Sequence, residues 1–346
     1  MRIVVDAREA FGTKKTGKGQ WVSGLISALR AKGTEMTLLV DSSCHEADVV
    51  RLPSGAQWHT AAVRYLRNSR EQCCYLSTTS FIVPALLPRS IPVVQIVHDL
   101  IAFHQGRHDL KAKVLERMLF PRVAKSCRHF CAISEATKKD LCTMFPAIDP
   151  SRVSVVYAGP MEQNPSPNQP DSETILCVGT LCPRKNQLRL IRAYASLPSS
   201  LRERYKLLIA GNRGWSDSEI VRMAKNTKGV QWIGYVSDDR YKELLASCTI
   251  FALPSLYEGF GMQILDALQR GIPVLTSDRG SLKEVAGDAA VLVDPESDRS
   301  IASGLVAILE DEDVRQELAK RGPVQAGKFS WKRTADLVLS AVESAV

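Results

Sequence analysis

The sequence predicts an α/β protein built from two doubly wound parallel sheets in tandem. Three observations carry this. Short apolar, β-branched runs alternate with helix-forming stretches along the whole chain. The runs are continuously apolar instead of alternating with polar residues, as strands covered by helices on both faces must be. A polar segment with three prolines, MEQNPSPNQPDS at 161–172, interrupts that rhythm near the middle of 346 residues, a length beyond one ordinary core.

Taken in order, the strand candidates before the interruption are RIVVDA, MTLLV, VVQIVHDL, HFCAIS and RVSVVYAG. Those after it are TILCVGT, YKLLIAG, VQWIG, CTIFALP, IPVLTS and AAVLVDP. The expected organisation is a Rossmann-like domain over 1–160, a linker over 161–172, a second Rossmann-like domain over 173–327 and a terminal helix within 328–346. The apolar positions of FSWKRTADLVLSAV form a stripe with which that helix can pack back on the first domain. Such sheets bind ligands beyond the carboxyl ends of their strands, so two facing crevices would make a cleft suited to a two-substrate reaction.

Composition narrows the class. Apolar content of 45% and charged content of 24% are those of a folded, water-soluble chain. No apolar run approaches bilayer length, and MRIVVDAREA enters a strand without the apolar core of a signal peptide, so a cytoplasmic protein is expected. The nine cysteines match no zinc spacing and read as small core residues. Of the net +8, all lies in the first half, where 22 Lys and Arg face 13 Asp and Glu through residue 160. That excess fits a surface meeting something anionic; a basic face that serves solubility explains it equally well. No aromatic–basic module points to nucleic acid.

The chemistry concentrates in LYEGFGMQILDALQRG, 256–271. A strand precedes it and a helix follows, ending at Gly271, so YEGFG lies at a strand's carboxyl end over a helix N-terminus. Unpaired amides and a partial positive charge there favour phosphate. Gly259 and Gly261, flanking Phe260 and followed by Met262, let backbone come close to a ligand. Glu258 can accept hydrogen bonds from two neighbouring hydroxyls, as in a sugar diol, and Asp266 lies further along the helix. CVGTLCPRKN, 177–186, is a second strand–turn–helix joint, with Arg184 and Lys185 placed to neutralise a diphosphate leaving group.

The string YEGFGMQILDALQRGIPVLTSDRGSLKEVAGDAAVLVDP, 257–295, closely resembles the signature region of family-4 retaining glycosyltransferases of the GT-B fold. In that family two acids with seven residues between them bracket a glycine-rich turn, the first holding donor-sugar hydroxyls and the second the ribose. Glu258 and Asp266 fill these positions, the second shortened from the usual glutamate. The resemblance gives Arg184 and Lys185 the donor diphosphate and places His98, in QIVHDL, near the transferred sugar as a neutral imidazole, while Asp99 anchors local backbone. In TGKGQW, where relatives show T-G-I-G-R-Y, Gly17 is expected to admit the donor phosphate or acceptor. Tyr235 and Val236 of WIGYVSDD sit where relatives approach the nucleobase.

The resemblance spans nearly the whole chain and implies an acceptor-binding first domain and a donor-binding second domain. It implies transfer of a hexosyl group, with mannose from GDP-mannose favoured over a UDP-sugar, onto a glycan or lipid-linked acceptor. In its motifs the chain most resembles bacterial mannosyltransferases of lipopolysaccharide and exopolysaccharide synthesis. No DxD-type motif is present, so neither metal nor cofactor is implied and the nucleotide-sugar is the substrate. Two alternatives stay open: a nucleotide-sugar epimerase of the same fold, and a descendant that binds nucleotide-sugar without turning it over.

Three further segments have local readings. Ser134 reads as the N-cap of a helix over SEATKKDL, and SLKE, 281–284, as a capping box pairing Ser281 with Glu284. KAKVLERMLFPRVAKSCRHF, 111–130, holds six Lys and Arg around Val114, Leu115, Met118 and Leu119. It reads first as an ordinary amphipathic helix with a wet basic face, and second as a peripheral contact with an anionic inner-membrane leaflet.

Overall fold

A computed structural model describes residues 2–12, 16–69, 71–103, 110–162, 165–168, 170 and 172–346, with 110–113 in backbone only. The chain divides into two compact units. The first comprises Met1–Met161 and Ser330–Val346, the second Glu162–Phe329. Of the expected linker, positions 163, 164, 169 and 171 lie outside the described residues.

The first unit is a parallel sheet of β1 Arg2–Asp6, β2 Met36–Asp41, β3 Val50–Leu52, β4 Cys73–Ser77, β5 Val93–Val97, β6 His129–Ala132 and β7 Val153–Val155. Its strand order is β3-β2-β1-β4-β5-β6-β7. Two of these strands escape the sequence reading. β4, CCYLS, is fully buried beside β1 at the centre of the sheet, yet it holds no β-branched residue and its cysteines read only as thiols. β3 is three residues long. Of the nine cysteines all but Cys142 are buried, and burial pushes the Cys74 thiol up to about 12.

Helix Trp331–Ser344 begins at Ser330, whose hydroxyl accepts from the backbone N–H of Arg333, and it packs on helix Gly17–Ala31 and on β6 and β7. Trp331 anchors it: the indole N–H donates to the Pro160 carbonyl at 2.8 Å.

The second unit is a parallel sheet of β8 Thr174–Val178, β9 Lys206–Ala210, β10 Val230–Trp232, β11 Ile250–Leu253, β12 Val274–Ser277 and β13 Ala290–Val293, in the order β10-β9-β8-β11-β12-β13. Leu190, Ile191, Tyr194, Ile209, Ile250, Leu305 and Ile308, all fully buried, help fill its core. In both sheets the order of strands reverses between the first and fourth members, β1 beside β4 and β8 beside β11. Loops leaving such neighbouring strands in opposite winding directions open a crevice, which is where this class of sheet takes its ligands. Among the described residues no helix is long and apolar enough to cross a membrane.

Candidate active site

The two motifs singled out in the second half leave the carboxyl ends of adjacent strands. β8 runs into the turn carrying Arg184 and Lys185, and β11 runs into the loop carrying Glu258. The first turn is a single 3-10 turn, Pro183–Lys185, closed by Asn186 in the left-handed region at φ 62°. Asparagine tolerates that conformation better than most residues, and its side chain has a second task here. Buried Asn186 donates through Nδ2 to the carbonyls of Pro254, at 2.9 Å, and Pro295, at 2.7 Å. One side chain thereby ties this turn to the loops after β11 and β13.

Those ties converge on Glu258. The Arg184 guanidinium donates from Nη1 to Glu258 Oε2 at 2.5 Å and to the Tyr257 carbonyl at 2.8 Å. Lys185 Nζ lies 2.7 Å from Glu258 Oε1. Lys185 folds back over Gly179, where a Cβ would stand 3.1 Å from the lysine Cε. Burial alone would raise the Glu258 carboxyl, but the neighbouring Arg184 and Lys185 overcome it and hold the group at about 2. The cluster is thus one carboxylate between two cations, with a net charge of +1.

Gly261 completes the loop at φ 102°, a conformation that favours glycine, and caps helix Met262–Gln269 with no side-chain hydrogen bond to the first turn. Phe260 is buried and packs edge-on against Phe329 at 5.6 Å, so its ring serves packing. Met262, also buried, opens the helix. Asp266 occupies the helix's buried side and accepts a hydrogen bond from the Tyr241 hydroxyl at 3.1 Å. Tyr241, on helix Asp238–Ser247, was invisible to sequence reasoning because nothing local links it to Asp266.

The capping box expected at SLKE does not form. Helix Gly280–Ala286 starts after Arg279, and Ser281 lies inside it, fully buried. Its hydroxyl donates to the Glu258 carbonyl at 2.6 Å, bracing the loop that carries the carboxylate. The cap at Ser134 is present, accepting from the Thr137 N–H at 3.0 Å.

Tyr235 is half exposed and Val236 partly buried in the loop after β10, the outer strand of the sheet. A cavity of about 640 Å³ opens at the opposite, amino-terminal ends of the strands. Its Arg204–Glu173 and Arg315–Glu312 pairs offset one another in charge, and it is lined by none of Arg184, Lys185, Glu258 and Asp266.

In the first unit, His98 follows β5 and is buried. Its Nε2 lies 2.8 Å from the Thr78 carbonyl. Burial and, next, the Lys18 ammonium lower the imidazole to about 3, against the Thr78 and Asp99 contributions. A neutral ring facing a carbonyl must carry its proton on Nε2, which leaves the Nδ1 lone pair as an acceptor. Asp99 accepts from the Ile101 N–H at 3.3 Å and lies 3.5 Å from Lys18 Nζ. Gly17 starts its helix with Thr16 as N-cap, and a Cβ there would meet nothing within 4 Å; Gly19, by contrast, is required because a Cβ would stand 2.3 Å from the Glu9 carbonyl oxygen.

The helix expected around 111–130 spans Leu110–Ser126. The side chains of Lys111 and Lys113 lie outside the described residues. As an amphipathic helix does, it buries Phe120, Val123 and Ala124 in the core of the first unit, while Val114, Leu115 and Met118 nearer its start are exposed, Met118 by 64%, beside exposed Arg117 and Arg122.

Comparison with known proteins bears on the whole chain. The model for Glycosyltransferase Family 4 matches residues 16–159, and that for Glycosyl transferases group 1 matches residues 161–325. The O-antigen chain mannosyltransferase B of Escherichia coli is 38% identical over 169 residues, 48% of this chain and 44% of that protein. The serotype-specific mannosyltransferase WbdA of Escherichia coli is 35% identical over 172 residues, 48% of this chain and 21% of that one. The matched region thus spans less than half the length of either relative. Among solved structures, Anabaena Alr3699/HepE in complex with UDP-glucose superposes with a TM-score of 0.80 at 17% identity, over 99% of this chain and 100% of that one. Two reversed-order parallel sheets of the GT-B kind, with a family model lying over each, leave one assignment: the chain belongs to the glycosyltransferases, family 4 in its first half and group 1 in its second.

Proposed function

We propose that the chain is a retaining glycosyltransferase that moves a hexose, mannose from GDP-mannose, onto a glycan or lipid-linked acceptor in cell-surface polysaccharide synthesis. The observation that carries the reading is the Arg184–Glu258–Lys185 cluster at the carboxyl ends of β8 and β11, next to the N-terminus of helix Met262–Gln269, which Gly261 caps without a side-chain hydrogen bond. The O-antigen mannosyltransferases named above support the choice of sugar.

On this reading the donor diphosphate takes the two cations and the helix N-terminal amides, and Glu258 turns its oxygens to the sugar hydroxyls. Asp266 serves the ribose, with Tyr241 fixing its carboxylate, and the loop at Tyr235 and Val236 approaches the base. Gly17 admits the donor phosphate or acceptor, and His98 accepts a sugar hydroxyl through Nδ1. The acceptor oxygen bonds to the anomeric carbon from the face the diphosphate leaves. The bond from that carbon to the phosphate oxygen breaks, and the acceptor proton passes to the departing phosphate. Glu258 orients the sugar and forms no bond to it. Charge develops chiefly on the leaving group, so Arg184 and Lys185 contribute most to the rate.

The test is incubation with GDP-mannose or UDP-sugars and lipid-linked acceptors, followed by mass detection. A product heavier by one hexose with the anomeric configuration kept is expected. Free nucleotide and an altered sugar from donor alone would mark an epimerase, and tight donor binding without turnover a binding protein. Either overturns the reading.

We further infer that the protein acts at an anionic membrane surface through helix Leu110–Ser126. The support is its uncovered Val114, Leu115 and Met118 beside basic side chains on a half of the chain that carries the whole positive excess. Co-sedimentation with anionic but not zwitterionic vesicles, lost in Leu115→Ser/Met118→Ser, is expected; equal binding by that variant overturns it.

A further inference from the structure

The chain returns from the second unit to the first across the peptide bond between Phe329 and Ser330. An aromatic ring stands on each side of that crossing, and each one packs within its own unit toward a candidate functional residue or loop of that unit. Phe329 lies edge-on to Phe260 of the Glu258 loop, at 5.6 Å and 78°. Trp331 lies edge-on to Trp21, at 6.0 Å and 73°, and Trp21 lies edge-on to His98, at 5.1 Å and 88°.

The three rings of the first unit are not held alike. Trp331 is fixed by its hydrogen bond to Pro160 and by a slot with glycine on two sides. A Cβ at Gly24 would stand 2.3 Å from its Cε2, and one at Gly159 2.6 Å from its Cδ1. Trp21 is almost wholly buried, yet its indole N–H finds no hydrogen-bond partner among the described residues, so packing alone sets its orientation. His98 is held by its Cβ and by Nε2 on the Thr78 carbonyl, which leaves rotation of the ring about the axis through these two to be set by its neighbours. The ring packed edge-to-face with it is that of Trp21.

We propose that Trp331 is a positioning residue for His98, acting through Trp21, and that Phe329 is a positioning residue for the Glu258 loop, acting through Phe260. The step from these rings to catalysis rests on the glycosyltransferase reading above; the positioning itself does not. Misplacing a reacting group by about 1 Å costs on the order of 100-fold in rate, so edge-on contacts are sufficient to matter.

The experiment uses the full chain with 15N-labelled histidine, the His98 signals being assigned with His98→Gln. In Trp331→Leu, and independently in Gly24→Ala, which drives the indole from its slot, the imidazole 15N and ring-proton signals of His98 move. There kcat falls about 10- to 100-fold with KM for the nucleotide-sugar nearly unchanged, and Trp331→Phe restores most of both. In Phe329→Leu the His98 signals stay, while affinity for the nucleotide-sugar falls. Folding of each variant is checked by its thermal transition. His98 signals unchanged in both Trp331→Leu and Gly24→Ala overturn the first assignment, and unchanged affinity in Phe329→Leu overturns the second. If the wild-type protein binds no nucleotide-sugar, the glycosyltransferase reading fails while the His98 signals still decide the positioning of that ring.

Discussion

The backbone N–H of Leu256 donates to the carbonyl of Arg184 at 2.8 Å. That one bond joins the cationic turn after β8 to the acidic loop after β11, and both ion pairs of Glu258, with Arg184 and with Lys185, lie within two residues of it. Because the brace is main chain to main chain, it survives substitution of the charged side chains. Removing those side chains therefore tests chemistry with the loops still joined.

Acidification should act through Glu258. Its folded value of about 2 lies below its ordinary 4.5, so its stabilising share is complete above pH 4.5 and is lost as pH falls from there toward 2. The share is roughly 2–4 kcal/mol. Thermal unfolding between pH 6 and pH 2.5 should show the wild type losing stability relative to Glu258→Gln. Parallel curves for the two proteins would contradict the ion cluster.

The two cations should separate in stability though both matter for transfer. The Lys185 side chain is 7% exposed and that of Arg184 27%, so Lys185→Ala removes the more deeply buried contact of the carboxylate, leaving Glu258 paired with Arg184 alone. Calorimetry should find a lower unfolding temperature for Lys185→Ala than for Arg184→Ala. Rate assays should find both reduced by about 100-fold or more in kcat.

Ser281→Ala removes the hydroxyl that holds the Glu258 carbonyl. A loss of about 1–2 kcal/mol in stability is expected, with weakened nucleotide-sugar binding and unchanged helix content by circular dichroism. Fraying of the helix would instead restore the capping role that its sequence implied.

Tyr241→Phe deprives the buried Asp266 carboxylate of the hydroxyl it accepts. Denaturant unfolding should show a cost of about 1–3 kcal/mol, and titration calorimetry a weaker nucleotide. A variant as stable as wild type, with unaltered nucleotide affinity, would detach Tyr241 from the site.

How much of this was legible in advance follows from the range of each interaction. The glycine-rich turn at 259–261, the cations at 184–185 and the cap at Ser134 are local: spacing along the chain places them on turns and helix starts, and there the structure has them. The capping box at 281 failed because a short polar motif cannot tell a helix start from a buried brace. Helix Leu110–Ser126 has the alternation of apolar and basic residues expected of a packed surface helix, yet composition does not say that Phe120, Val123 and Ala124 are covered while Val114, Leu115 and Met118 are not.

Along the chain alone, then, residue order determined the two α/β halves, the joints where ligand-facing amides and charges stand, and the family. The folded arrangement decided that Glu258 is clasped by Arg184 and Lys185, that CCYLS is a central strand, and that Trp331 reaches His98 through Trp21. Propensity and spacing act over a few residues. Strand order and the burial of charge are settled by partners many tens of residues away, and only the packed sheet brings those partners within bonding distance.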